Sequence, residues 1–497
     1  MHDRGTTAQS RRSMLRASTR LLVGLGGLSL LVACGGTANA PAATVVAAAP
    51  TSAASSATKP ATTTTAVPAS APTTAAVQVA TPLPPPAGQK AIALRMHVRA
   101  GVEDQMLDKQ LPLFQQANPG VSVTQEPFPG GEYFQKLQTL AAGGNLGDVV
   151  HLFTGDMSYQ QFFTSGIFVP IDDYIAKEKF DLGQYYKYSV DGAYVDGKIG
   201  GLPFKSHPSR CGLFYNEDLF TQAGIQPPSL DMSIDDLVAA TKKLTKPGDV
   251  STAVYGYGWN WHDLEYYVCV ARNYGSELFS KDGKTWAGSS PEALKGWQWH
   301  YDMLNTYKVA INPLQTSPSN NDLFLSGKLA MYRVNIGTKA AYTAVTKFKW
   351  NMTLPPKGPT GSRGTFAETD MMSITKFTKA KDQAWALLKW VTSKDAGIGL
   401  ASQTGNRSST AGGRPDVYNS PEFLNLPGYP PGVQKTTLLA MEQAEPYLAP
   451  ANFRGPELQR AIDPIMDLII LGKSQADKAW ADKLTQAAQD IMDKPRA

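Results

Sequence analysis

Cysteine is scarce, with three in 497 residues, which excludes a disulfide scaffold and any cysteine-rich zinc or iron–sulfur module. Histidine is nearly as rare. His97, His151, His207, His262 and His300 stand apart with no second ligand type at metal spacing, so each reads as structural or surface and no metal or cofactor is expected. The phosphate loop GxxxxGK[ST], the nucleophile elbow GxSxG, HExxH and paired CxxC are all absent, and the enzyme classes they mark lose support. Gly472-Lys473-Ser474 and Gly283-Lys284-Thr285 lack the upstream glycine and read as a helix cap and a hairpin turn. The acidic pairs Asp172-Asp173 and Asp235-Asp236 fall at element starts, where capping and the helix dipole account for them. A surplus of one charge is missing too. The formal net charge is +5, but Arg4, Arg11, Arg12, Arg16 and Arg20 against Asp3 supply most of it. The near-neutral remainder offers no electrostatic footprint for nucleic acid.

Long apolar runs are absent as well. The uncharged stretch Leu21–Ala33 is shorter than the roughly 20 residues a spanning helix needs, and suits the apolar region of an export signal. It ends in Leu31-Val32-Ala33-Cys34, which resembles a bacterial lipobox. Residues 1–33 are expected to be a signal peptide and Cys34 to carry lipid at the outer face of the cell membrane. Ser10-Arg11-Arg12-Ser13-Met14-Leu15-Arg16 is similar to a twin-arginine signal, and general secretion stays open beside it. Apart from Asn39, Lys59, Gln78 and Leu83, every residue from Thr37 to Ala87 is Ala, Thr, Pro, Ser or Val. Such a segment cannot offset the entropy of ordering, so 34–89 is expected to be a disordered tether.

Folded structure is expected from about Lys90. Strands over Ala91–Val98, Val121–Gln125 and Val149–Leu152 alternate with helices over Glu103–Asn118 and Tyr133–Ala142, a pattern that predicts a parallel α/β sheet. Further helices are expected over Ser233–Leu244, Pro291–Tyr307, Lys381–Ser393, Glu457–Leu471 and Ala476–Met492. Cys211 and Cys269 could pair or remain as buried thiols.

Five blocks then occur in order: Tyr133-Phe134-Gln135-Lys136-Leu137 with Ala142-Gly143-Gly144 and Gly147-Asp148-Val149; Asp196-Gly197-Lys198-Ile199-Gly200-Gly201-Leu202-Pro203-Phe204; Tyr215-Asn216-Glu217-Asp218-Leu219-Phe220 with Ala223-Gly224; Phe324-Leu325-Ser326-Gly327-Lys328-Leu329-Ala330-Met331; and Leu354–Gly358 followed by Ser373–Lys376 and Ala384–Ser393. Together they resemble the family 1 extracellular solute-binding proteins of bacterial ABC importers, which include the carbohydrate and maltose-type binders. The resemblance implies two α/β lobes, each a mostly parallel sheet flanked by helices, with a ligand cleft between them. By analogy the N-lobe is 91–204 plus 354–392 and the C-lobe is 205–353 plus 393–497. It further implies a non-enzymatic, monomeric receptor that takes up a small solute, above all a mono- or oligosaccharide, and passes it to an ABC permease. Two rival readings are a secreted carbohydrate-active hydrolase, for which Glu265, Glu368 and Asp370 are candidate acids, and a solute-sensing domain for a signalling partner.

Ligand residues are expected on loops at the C-terminal ends of strands facing the cleft. The candidates are Arg99, Asp156, Tyr159, His207, Arg210, Trp259, Asn260, Trp261, Arg333, Asn335, Glu368, Asp370 and Arg407. Trp259-Asn260-Trp261-His262-Asp263 combines flat aromatic faces with polar groups, the mixture a sugar ring requires. If that loop is extended, the two indoles share one side and Asn260 and His262 the other. Trp297, Trp385 and Trp390 lie at helical spacing and read as core.

Overall fold

The computed structural model describes residues 83–101, 103–249, 251–312, 314, 317–401 and 412–497. The lipobox Cys34, the tether up to Thr81-Pro82 and Arg407 lie outside the described residues.

The chain begins as its alternation predicts. Strands β1 (Ile92–Arg99), β2 (Val121–Phe128) and β3 (Val149–Phe153) pair in parallel, with β1 in the middle. The helix Tyr133–Ala142 ties this sheet together, because the Tyr133 hydroxyl donates to the carbonyls of His97 (2.9 Å) and His151 (2.7 Å). The helix expected over Glu103–Asn118 is two, Glu103–Leu107 and Gln110–Ala117. Pro112 is the cause: its ring clashes with the carbonyl four residues back and is tolerated only in a first turn.

A short hairpin, β4 (Tyr194–Val195) and β5 (Lys198–Ile199), leads into β6 (Gly201–Ser209). A Cβ on Gly200 would collide with the Phe163 ring and stand 2.9 Å from the Tyr159 hydroxyl, so the entry to β6 requires glycine. β6 lies antiparallel to β11 (Phe366–Ile374), which joins β3 antiparallel and β12 (Glu445–Pro446) in parallel. The first sheet is therefore mixed.

After β6 the chain crosses to a second sheet in the order β10-β7-β9-β8. Its strands are β7 (Gly212–Asn216), β8 (Tyr255–Trp259), β9 (Leu329–Val334) and β10 (Trp350–Thr353). Only β8 and β9 pair in parallel; β7 lies antiparallel to both its neighbours. The two-sheet α/β class holds, but strands that cross between sheets enter reversed, so this sheet is less parallel than the sequence pattern suggests.

Each sheet has its own core. Leu94, Met96, Val98, Val150, Leu152, Trp385 and Leu388 fill the first. Tyr257, Trp259, Tyr266, Trp297, Ile462 and Trp480 fill the second. The C-terminal helix Lys478–Met492 buries Trp480, Ala481, Leu484, Ala488 and Met492, one stripe at helical spacing. Asn216 caps its helix by accepting from the Asp218 and Leu219 amides. Gly472 ends the helix Gly455–Ile470 in the left-handed region. Cys211 and Cys269 are both free and buried. Among the described residues no helix is long and apolar enough to cross a membrane.

Candidate functional site

A cleft of about 640 Å³ opens between the loop that follows β3 and the loop that follows β8. Both lie at the C-terminal ends of parallel strands, where open α/β sheets place their ligands. The β3 loop is pinned to the first sheet by Thr154, whose amide (3.0 Å) and hydroxyl (2.8 Å) donate to the Thr369 carbonyl. Asp156 follows, exposed to the cleft, with its carboxylate accepting the Ser158 amide at 2.9 Å.

The β8 loop supplies Asn260, Trp261, His262 and Asp263. Asp263 caps the helix Leu264–Asn273 by accepting the Tyr266 amide. Asn260 accepts from the Tyr332 hydroxyl at 2.7 Å. His262 has φ 53°, a left-handed turn that carries its ring onto Asp467 at 2.7 Å, the same carboxylate that accepts the Trp261 indole N–H at 3.4 Å. The expected alternation therefore fails at His262, while Trp259 and Trp261 do lie side by side with centroids 6.3 Å apart.

Arg210 sits where the chain crosses between the sheets, itself left-handed at φ 53°. Its guanidinium meets Asp263 at 2.6 Å and Glu265 at 2.9 Å, donates to the Ser209 hydroxyl at 2.8 Å, and lies 3.9 Å from Glu368. Glu265 and Glu368 share a hydrogen bond. Burial holds Glu265 well above the usual carboxylate range, outweighing Arg210 and reinforced by the Glu368 and Asp263 charges. Burial also opposes ionisation of Glu368, but His207, Arg210 and the bond from Glu265 carry it below the usual range. A Cβ at Gly155 would collide with Glu368 Oε1 and stand 2.8 Å from Glu265 Oε1, so this close approach requires glycine.

Asp156, Arg210, Asn260 and Trp261 therefore meet in the cleft, and several other candidates do not. Tyr159 is fully buried; its hydroxyl donates to the Ala193 carbonyl (2.5 Å) and accepts the Gly200 amide (2.9 Å), leaving it nothing for a ligand. Trp259 reaches the cleft wall but is 1% exposed, with its ring stacked on Tyr266 and packed on His300. Arg333 is 2% exposed and donates to the carbonyls of Arg210, Arg363 and Gly364 and to the Asn273 side chain. Asn335 accepts the Gly337 amide to cap its own turn. His207 lies 3.8 Å from Glu368 beside it, and burial pulls its imidazole below its usual range.

Arg99 and Asp370 belong to an interior ion cluster. The Lys205 ammonium stands 2.6 Å from Glu103 and 3.0 Å from Asp370, Asp370 meets His151 at 3.1 Å, and Arg99 grips Glu103 at 2.5 and 2.8 Å. Lys205 and His151 hold Asp370 far below the usual carboxylate range against its burial, and Glu103 is lowered to about 2 for the same reason, with Arg99 adding to it. Glu103, His151 and Asp370 could together face a metal ion. Lys205 already supplies the cation that the two carboxylates need.

Sequence reasoning missed Ser319, Asn320, Asn321, Tyr332, Tyr447 and Gln459, which also line the cleft. Ser319 and Asp322 form a capping box, a signal that marks a helix start without showing that it faces a ligand. Tyr332 lay inside the Ser326–Met331 block's own strand; Tyr447 and Gln459 carry no motif.

A binding protein of Brucella abortus is 30% identical over 289 residues, covering 57% of this chain and 67% of the relative. The sn-glycerol-3-phosphate-binding periplasmic protein of Salmonella typhimurium is 25% identical over 277 residues, 52% of this chain and 60% of that one. An ABC substrate-binding protein from Listeria monocytogenes, solved in complex with cycloalternan, superposes with a TM-score of 0.69 at 22% identity, over 82% of this chain and 100% of its own. The sequence pattern of bacterial extracellular solute-binding proteins matches residues 99–398. The chain belongs to the family of bacterial extracellular solute-binding proteins.

Proposed function

We propose that this protein captures a carbohydrate or polyol in the cleft and delivers it to an ABC permease. The observation that carries the reading is the half-buried Trp261 indole lining a cleft whose other walls offer Asn260, Ser319, Asn321, Tyr332 and Gln459. Sugars present apolar C–H faces and a hydroxyl rim, which this mixture of flat ring, amide and hydroxyl groups complements. The Listeria neighbour was solved with a carbohydrate bound, and the Salmonella relative is named for a polyol phosphate. Capture proceeds by closure of two lobes, one built on each sheet, around the crossing at Arg210 and a second crossing between β10 and β11. The first crossing falls after Ser209 and not at the 204/205 boundary expected from the resemblance, because β6 stays paired with β11 to its end, and Glu445–Pro446 returns to the first sheet. The receptor acts as a monomer without catalysis. A glycosidase needs two carboxyl groups roughly 5–9.5 Å apart across its substrate, whereas Glu265 and Glu368 are hydrogen-bonded to each other.

A thermal-shift screen over sugars, polyols, sugar phosphates, amino acids and oligopeptides tests the reading. A ligand at 100 times its Kd stabilises the folded state by about 2.7 kcal/mol, so sugars or polyols are expected to raise the melting temperature. Stabilisation by amino acids or peptides alone would overturn the carbohydrate assignment.

Residues 1–33 are removed on export and Cys34 carries the lipid anchor, with the segment after it holding the receptor away from the membrane. The end of the expected 34–89 tether is docked on the folded body, where the Leu83 carbonyl accepts the Gly120 amide at 2.9 Å. Cys34→Ala is expected to move the protein from the membrane to the soluble fraction, measured by fractionation, with its solute affinity unchanged. A variant still bound to membrane would refute the anchor.

A further inference from the structure

The cleft has a marked imbalance of free charge. Arg210 and His262 are the only basic residues among its described lining, and both are already engaged. Arg210 spends its guanidinium on Asp263, Glu265 and Ser209. His262 is held by Asp467. Asp156, by contrast, faces the cleft with no cationic side chain within ion-pair distance among the described residues; its hydrogen-bond partners are the amide of Ser158, at 2.9 Å, and that residue's side chain, which are neutral groups.

The charged groups that act on that carboxylate are acidic. Behind the Gly155 notch lie Glu368 and the proton-sharing Glu265. Although Asp156 is open to the cleft, the surrounding protein strips enough hydration to raise its carboxyl to about 6, and the Glu368 and Asp370 charges push the same way. An anionic ligand would enter against this field with no unspent cation to receive it. A cationic group would relieve the repulsion and meet a carboxylate that has no cationic partner.

We propose that the solute is a polyhydroxylated compound bearing an amine, an amino sugar or a glycan containing one, whose ammonium is received by Asp156 while a ring packs on Trp261. This rests on the carbohydrate-receptor reading and narrows it. A cleft of about 640 Å³ falls within the usual range for small-molecule sites and has room for more than one sugar ring. The arrangement also sets this chain apart from a receptor for a phosphorylated polyol, which would need a spare cation where this cleft places Asp156.

Matched probes that differ by one functional group test the assignment by titration calorimetry: the disaccharide of glucosamine against cellobiose, glucosamine against glucose, and glucose 6-phosphate as the anion. In at least one pair the amine is expected to bind tenfold or more tighter than its neutral partner, with the phosphate weakest, and the preference should shrink with added salt. Asp156→Asn keeps an acceptor for the Ser158 amide and is expected to cut the amine preference at least fivefold. If neutral sugars bind as tightly as their amines, or the preference survives Asp156→Asn, this inference fails and the carbohydrate reading stands. If no sugar of any charge binds, both fail.

Discussion

Arg333→Met is expected to lower the stability of the folded body by about 3 kcal/mol or more while leaving solute affinity within about twofold. The guanidinium of Arg333 is buried and has no carboxylate at contact distance among the described residues. Its partners are neutral oxygens: the carbonyls of Arg210 at 3.1 Å, Arg363 at 3.2 Å and Gly364 at 2.8 Å, and the Asn273 amide oxygen at 2.8 Å. Two of these segments are places where the chain passes between sheets, Arg210 between β6 and β7, and Arg363-Gly364 ahead of β11. Their packing leaves no slack, since a Cβ on Gly364 would collide with the Cys269 carbonyl. Methionine fills similar volume but donates nothing. Each stranded buried acceptor then costs about 1–3 kcal/mol, and four of them outweigh the relief of no longer burying a charge. Urea unfolding should show a lower midpoint at unchanged slope. The opposite pattern, native stability with affinity lost, would return Arg333 to the ligand shell where its position after a strand end first suggested it.

That reversal shows which level of structure the sequence encodes locally. The strands β1 to β3, the Tyr133–Ala142 helix and the two loops that meet at the cleft follow from apolar periodicity and from the rule that ligands sit beyond strand C-termini. Which side chain of a loop enters the cleft does not follow. Arg333 lies within β9 and points at the crossing segments, and a left-handed backbone at His262 turns one ring out of the alternation expected of an extended loop. The interior ion cluster needs Glu103, His151, Lys205 and Asp370, contributed by four separate segments, and no window of sequence contains it. The shared proton of Glu265 and Glu368 depends in the same way on Gly155, a residue with no side chain to draw notice. Pro112 is the contrary case, since its effect on the first helix is local and was legible in principle.

The tryptophan pair is expected to divide by role, with Trp259→Ala costing stability and Trp261→Ala costing affinity. Trp259 closes β8 with its ring inside the second core, 13° from parallel to Tyr266 at 6.2 Å and against His300 at 5.3 Å and Trp299 at 6.2 Å. Its removal leaves a large cavity in a well-packed cluster, and the expected loss is about 3–5 kcal/mol. Trp261 is only half-buried. It meets Tyr267 and His300 edge to face at 5.5 and 5.4 Å, and its indole N–H points at Asp467, an arrangement that fixes the ring's orientation while part of its surface remains on the cleft. A ring held in place before the ligand arrives loses little entropy on binding, so its removal should weaken sugar binding tenfold or more, roughly 1.4 kcal/mol, with a much smaller loss of apo stability than at Trp259. Urea unfolding of both apo variants and titration with the sugar that emerges from the screen separate the two effects. Unchanged affinity in Trp261→Ala would remove the stacking wall from the cleft and shift the ring contact to Tyr332 or Tyr447.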